Sequence, residues 1–124
     1  MNGNKLFLDT NICIYLLNGD EILAELLQDQ EIAISFITEI ELYAYHGNNE
    51  SSVRILNEFI KSVSVINMTD EIKHHTILIR KDFKLKIPDS IIAASAFATS
   101  ITLITADRAF NKITDLDLFI YEKS

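Results

Sequence analysis

The chain has one cysteine, one proline, three glycines and no tryptophan in 124 residues. Each scarcity excludes something. A lone Cys13 cannot close an internal disulfide, which fits a reducing compartment and removes the disulfide-stapled scaffolds. So little glycine and proline leaves no linker, no low-complexity segment and no glycine-rich phosphate loop. His74 and His75 are the only adjacent histidines. Neighbours on a helix point in different directions, and no cysteine or third nearby histidine completes a zinc set. No apolar run approaches the ~20 residues needed to cross a membrane. The opening Met1-Asn2-Gly3-Asn4-Lys5 lacks the basic and apolar regions of a signal peptide, so a cytoplasmic location is expected. Lys and Arg together number 11 against 18 Asp and Glu, a net charge of -7. That balance is awkward for a nucleic-acid binder, whose affinity rests on cations meeting phosphates.

What is present is a core. Hydrophobic residues make up 48% of the chain, enough for one domain spanning 1–124. Leu6-Phe7-Leu8, Ile32-Ala33-Ile34, Val63 to Ile66, Thr102 to Thr105 and Leu118 to Tyr121 read as strands. The first two are apolar in consecutive positions, the pattern of strands covered on both faces of a parallel sheet. Helices are expected between them. The first runs over Asn11 to Leu17, and the next carries Ile22, Leu23, Leu26 and Leu27 on one stripe. A third covers Thr38 to Tyr45, before the loop His46-Gly47-Asn48-Asn49. Others carry Val53, Leu56, Phe59 and Ile60, then Ile72 and Ile79, and the last is an Ala- and Ile-rich helix entered through Pro88. Pro in the first turn costs no hydrogen bond, and an apolar helix of this kind is expected to be central. The alternation predicts an α/β class, a three-layer α/β/α sandwich with a parallel sheet of about five strands.

Four acids stand at the expected element ends: Asp9, Glu41, Asp89 and Asp107. Each has an ordinary explanation. Asp9 and Asp107 can cap the helices that follow them. Glu41 can close a capping box with Thr38, and Asp89 can sit favourably at a helix N-terminus. Together they point elsewhere. Asp9 and Asp107 follow strands, and ligands of open parallel sheets bind beyond strand carboxyl ends. Four carboxylates gathered there would repel one another unless a cation intervened. An all-oxygen set suits Mg²⁺ or Mn²⁺, the ions of phosphodiester hydrolysis.

Leu8-Asp9-Thr10-Asn11, Ile37-Thr38-Glu39-Ile40-Glu41-Leu42, Pro88-Asp89-Ser90-Ile91-Ile92-Ala93-Ala94 and Thr105-Ala106-Asp107 resemble, in order and spacing, the motifs of PIN domains. The nearest branch is that of the VapC toxins of type II toxin–antitoxin pairs. The resemblance implies a PIN-like fold and a Mg²⁺-dependent (or Mn²⁺-dependent) endoribonuclease. It places the catalytic and metal-binding acids on Asp9, Glu41, Asp89 and Asp107. It places a supporting role on Asn11, expected to orient Asp9 or the metal's water, and on the hydroxyl of Thr105. It also implies a homodimer, a VapB-like antitoxin whose tail blocks the acidic pocket, and RNA as substrate. One position departs from the pattern: a glycine usual after the second acid is replaced by Tyr45, and Gly47 comes two residues later. Glu39, near Glu41, points another way on a helix.

Lys73, Arg80, Lys81, Lys84 and Lys86 lie in one stretch before Asp89. Lys84, Lys86 and Arg108 are candidate RNA contacts. The bland alternative is a solvated helix face. Tyr15, Tyr43 and Tyr45 are expected to close a core or a dimer surface rather than stack on bases, and Cys13 to be a small buried hydrophobe. The competing function is a catalytically inactive PIN-fold module that only binds RNA or protein. A haloacid-dehalogenase pattern fails because Asn11 stands where its second Asp belongs, and a receiver pattern fails because Val63 to Asn67 offers no acceptor Asp.

Overall fold

The computed structural model describes residues 4–123. The residues at 1–3, read above for a leader, and Ser124 lie outside the described part. The elements run β1 (Lys5–Leu8), α1 (Thr10–Leu17), α2 (Glu21–Leu27), β2 (Glu31–Ser35), α3 (Phe36–Tyr43), α4 (Glu50–Ser62), β3 (Ser64–Ile66), α5 (Asp70–Phe83), α6 (Ile87–Thr99), β4 (Thr102–Thr105), a 3₁₀ turn (Arg108–Lys112) and β5 (Leu118–Ile120). The five strands form one sheet in the order β3-β2-β1-β4-β5, and every pairing is parallel.

The consecutive apolar residues have the predicted cause: both faces of the sheet are covered. Phe7, Ala33 and Leu103 enter one cluster with Ile72, Ile79, Ile92 and Phe110. Their strand neighbours Leu8, Ile34 and Ile104 enter the other with Ile12, Leu23, Leu42 and Leu56. One layer of helices thus contains α5 and α6, and the opposite layer draws on α1 to α4. The molecule is the expected α/β/α sandwich with five strands.

Several boundaries shift. The third helix begins at Phe36 rather than Thr38, because the Ser35 hydroxyl accepts from the Ile37 N–H at 3.1 Å and caps it. The capping box between Thr38 and Glu41 therefore does not form. A capping box does form at α4, between Asn49 and Ser52. The stripe expected on α2 is narrower than four residues: Leu23 and Leu27 are buried, while Ile22 and Leu26 face outward. Helix α6 is buried from Ser90 to Ala96, but Ile87 and Phe97 at its two ends are exposed. Its central position is therefore a property of its middle turns only.

The strand order decides where a site can form. From β1 the chain moves outward to β2 and β3, then returns to lay β4 on the other side of β1. That reversal opens a crevice beyond the carboxyl ends of β1 and β4. Asp9 immediately follows β1, and Asp107 lies two residues past β4.

Candidate active site

Asp9 is held from three sides. Its N–H donates to the Ile104 carbonyl at 3.0 Å, carrying the β1–β4 ladder one residue past the strand. Its Oδ1 accepts from the Thr10 N–H at 2.7 Å, so it also caps α1. Its Oδ2 accepts from the Thr105 hydroxyl at 2.6 Å. The Thr105 oxygen in turn accepts from the Asp107 N–H at 3.1 Å. Thr105 is fully buried and is pinned from the β5 side, its carbonyl accepting from the Tyr121 N–H at 2.8 Å. One hydroxyl thus joins the first and last acids of the set.

Asp107 caps the 3₁₀ turn, with Oδ1 2.9 Å from the Ala109 nitrogen. Asp89 lies in the first turn of α6, which has no side-chain cap of its own. Glu41 sits in the second turn of α3, not the opening one, and a carboxylate in that half of a short helix gains nothing from the dipole. Its Oε1 accepts from the Thr10 hydroxyl at 2.6 Å.

The electrostatics tie these elements together. Burial is the largest cause that raises the Asp9 carboxyl from 3.8 to about 6. The hydrogen bonds from Thr105 and Thr10 oppose it, and the charges of Asp89 and Asp107 push in the same direction as burial. Asp89 is also raised, first by burial, then by Asp107 and Glu41, with Lys86 pulling the other way. Asp9 thus feels two of the other acids and Asp89 feels two, across separate elements. They are not, however, drawn together as a finished ligand set. Among the described residues no three His, Cys, Asp or Glu side chains stand close enough to hold a metal ion. Asp9, Glu41 and Asp107 each accept from a neighbouring donor.

Beside Glu41 a cavity of about 540 Å³ opens between α1, α3 and α4. Ile14, Leu17 and Ile55 line it on the apolar side, and Asn11, Asn18 and Asn48 on the polar side. Asn11 lines this cavity, and among the described residues it makes no hydrogen bond to Asp9. Of the candidate RNA contacts, Lys84 and Lys86 are exposed, and Lys86 lies near Asp89. Arg108 is paired with the Glu122 carboxylate.

A PIN domain model matches residues 6–116 of the chain. The chain belongs to the PIN domain family. Comparison with the curated proteins finds no match, but solved structures carry the likeness further. VapBC-1 from nontypeable Haemophilus influenzae contains a chain 30% identical, with a TM-score of 0.77, covering 94% of this chain and 97% of that one. A toxin–antitoxin complex from Klebsiella pneumoniae gives 28% identity and a TM-score of 0.82 over 95% and 99% of the two chains. VapBC2 from Rickettsia felis, bound to a DNA fragment from its promoter, gives 23% and 0.84 over 95% and 99%, a likeness of fold. These matches make the chain a VapC-like PIN domain.

Two residues of this PIN domain are not recognisable from sequence as functional candidates. Thr10 stands there only as part of a motif, and Thr38 only as a helix cap. Nothing in either spacing announces that their hydroxyls meet 2.9 Å apart. Tyr45 also has a local reason. Its ring lies over Gly47, where an added Cβ would come within 2.3 Å of it. The glycine has moved two places along, and the aromatic ring covers it. His75 packs edge-on against Phe97 with centroids 4.8 Å apart, and Cys13 is fully buried with its thiol pushed up by burial. Tyr43, which is exposed, bonds through its hydroxyl to Asn57.

Proposed function

We propose that the chain is a metal-dependent endoribonuclease, a VapC-type toxin that hydrolyses phosphodiester bonds in cellular RNA. One observation carries this reading: beyond the carboxyl ends of β1 and β4 of a VapC-like PIN sheet, Asp9 lies within reach of the charges of Asp89 and Asp107, and Asp89 within reach of those of Asp107 and Glu41. PIN domains of VapC toxins are in general nucleases. The donors fit Mg²⁺, or Mn²⁺ in its place, because all four are carboxylates, and the soft donor nearby, Cys13, is fully buried with its thiol pushed up. The raised Asp9 fits too, since a cation would remove the cost that burial and its neighbours impose. Bound by these acids, a divalent cation would activate water and offset charge on the scissile phosphate.

The protein's own part is to hold and orient. Thr105 and the Thr10 N–H fix both oxygens of Asp9, each of which keeps a further lone pair for a cation. Asp107 is placed by the backbone bond to Thr105. Asp89 projects from the first turn of α6 with Lys86 beside it to meet the phosphate backbone. A VapB-like antitoxin is the proposed partner, consistent with the complexes in which the similar chains occur. The cavity beside Glu41 is the place for its blocking segment. A homodimer is the proposed assembly.

The test is cleavage of total cellular RNA by purified protein with Mg²⁺, with Mn²⁺ and with EDTA, beside an Asp9→Asn control. Discrete products that need metal and vanish in the control are expected. One observation favours a second reading, a PIN fold that binds without cutting: among the described residues no three acids are yet within reach of one ion. A protein that neither cleaves nor binds Mn²⁺ in calorimetry would establish that reading instead.

A further inference from the structure

The other buried hydroxyls in the helices of this chain bond back to a nearby backbone carbonyl. Thr76 and Ser95 each donate to the carbonyl four residues earlier, at 2.7 Å, and Ser90 donates to the Leu85 carbonyl at 3.2 Å. This is the ordinary way for a helix to satisfy such a group. Thr38 departs from it. It is fully buried in α3, yet its oxygen lies 2.9 Å from the hydroxyl of Thr10, on a different helix. Thr10 Oγ1 lies 2.6 Å from Glu41 Oε1.

The chemistry fixes the direction of this chain. An ionised carboxylate only accepts, and a threonine has one hydroxyl proton. Thr10 must therefore donate to Glu41. The Thr38 proton then points to Thr10. The order is Thr38 to Thr10 to Glu41, ending on a carboxylate. Thr10 does a second thing at once: its N–H donates to Asp9 Oδ1 at 2.7 Å. One residue therefore ties together two of the four acids, one at the end of β1 and one in α3.

Neither bond is needed for packing. A valine at position 38 would fill the same space without requiring a partner, and a buried hydroxyl is costly unless it is bonded. Glu41 itself is exposed. An exposed glutamate has several rotatable bonds and would spread over many rotamers. The hydroxyl pair selects one of them and engages only Oε1, leaving Oε2 without a partner among the described residues.

We propose that Thr10 and Thr38 are positioning residues for Glu41, a hydroxyl pair that holds its carboxylate beside Asp9 with Oε2 turned to receive a divalent cation. The proposal rests on the metal-dependent reading above and deepens it. Thr10 and Thr38 act through Glu41 and need not touch RNA.

The experiment measures Mn²⁺ binding to the full chain by calorimetry, for wild type, Thr38→Val, Thr38→Ser and Thr10→Val. Metal-free melting temperatures are taken alongside. Thr38→Val is expected to weaken Mn²⁺ on the order of tenfold, as loss of a group that orients a metal ligand commonly does. Thr38→Ser, which keeps the hydroxyl, is expected to bind as wild type. In a Glu41→Gln background the Thr38→Val change should alter Mn²⁺ affinity by less than about twofold, since coupled residues are not additive. RNA cleavage by Thr38→Val should recover at high Mn²⁺, raising the metal concentration required while leaving kcat. If Thr38→Val does not fold, Thr10→Val carries the same comparison from a half-buried position. Wild-type binding by Thr38→Val, or an equal loss with and without Glu41, overturns this inference alone. Wild-type protein that binds no Mn²⁺ removes the proposed function together with it.

Discussion

Asp9 concentrates the conflict of the site in one side chain. It is 5% exposed, so its charge is costly, and its carboxyl is raised to about 6. A raised carboxyl binds its proton more tightly folded than unfolded. Its favourable contribution is complete below 3.8 and is lost as pH climbs through about 6. Metal-free protein at neutral pH should therefore carry a penalty that Asp9→Asn relieves. The full shift corresponds to about 3 kcal/mol at most, reduced because asparagine has one acceptor oxygen and can accept from only one of Thr10 and Thr105. In thermal melts with EDTA, Asp9→Asn should melt above wild type at pH 7.5, with the gap closing toward pH 5. Added Mn²⁺ should raise the wild type and leave the variant unmoved. A variant less stable than wild type across that range would show that the hydrogen bonds of Asp9 outweigh its burial.

At the level of elements, two helix ends make opposite predictions. Ser35 caps α3 from a fully buried position. Ser35→Ala should cost about 1 kcal/mol, read as a lower urea midpoint. Ser100 ends α6 with φ of 57°, a left-handed conformation that a side chain resists. Ser100→Gly should stabilise by about 0.5 kcal/mol, the steric relief being partly offset by the greater freedom of glycine when unfolded. A fall in midpoint would show that the serine side chain contributes more than its backbone strain costs. Ser35 also shows where sequence reading stops. The parallel sheet was legible because Phe7-Leu8, Ala33-Ile34 and Leu103-Ile104 feed alternate faces, a signal local to each strand. The start of α3 was not, because Thr38-Glu39-Ile40-Glu41 imitates a capping box and Ser35 competes with it invisibly. The positions of Asp9, Asp89 and Asp107 at element ends were readable, but that of Glu41, in the second turn of α3, was not. The bonds of Thr10 and Thr38 to Glu41 were not, because they depend on how two helices lie against each other.

For the whole molecule the question is how a chain of net charge -7 meets a polyanion. Arg108 is engaged with Glu122, so under the proposed function the exposed Lys84 and Lys86, the latter beside Asp89, are the candidates for the electrostatic part. Lys84→Glu combined with Lys86→Glu should weaken RNA binding. It should also flatten the dependence of log K on log salt by about 0.7 for each phosphate of a single strand that is no longer neutralised. An unchanged slope with weakened binding would place the RNA elsewhere on the surface.

The order of strands has a consequence for how the protein comes into being. Thr105 and Asp9 are 96 positions apart in the chain and 2.6 Å apart when folded. During synthesis, β1 leaves the ribosome with Asp9 long before β4 exists to be laid against it. Until then Asp9 has no Thr105, Asp107 is not yet made, and the crevice has only one wall. The proposed hydrolytic centre, divided in this way, could not operate in a partly made chain. A toxin built on this topology would stay harmless to the RNA around it for most of its own translation, and its activity would begin only with the last strands.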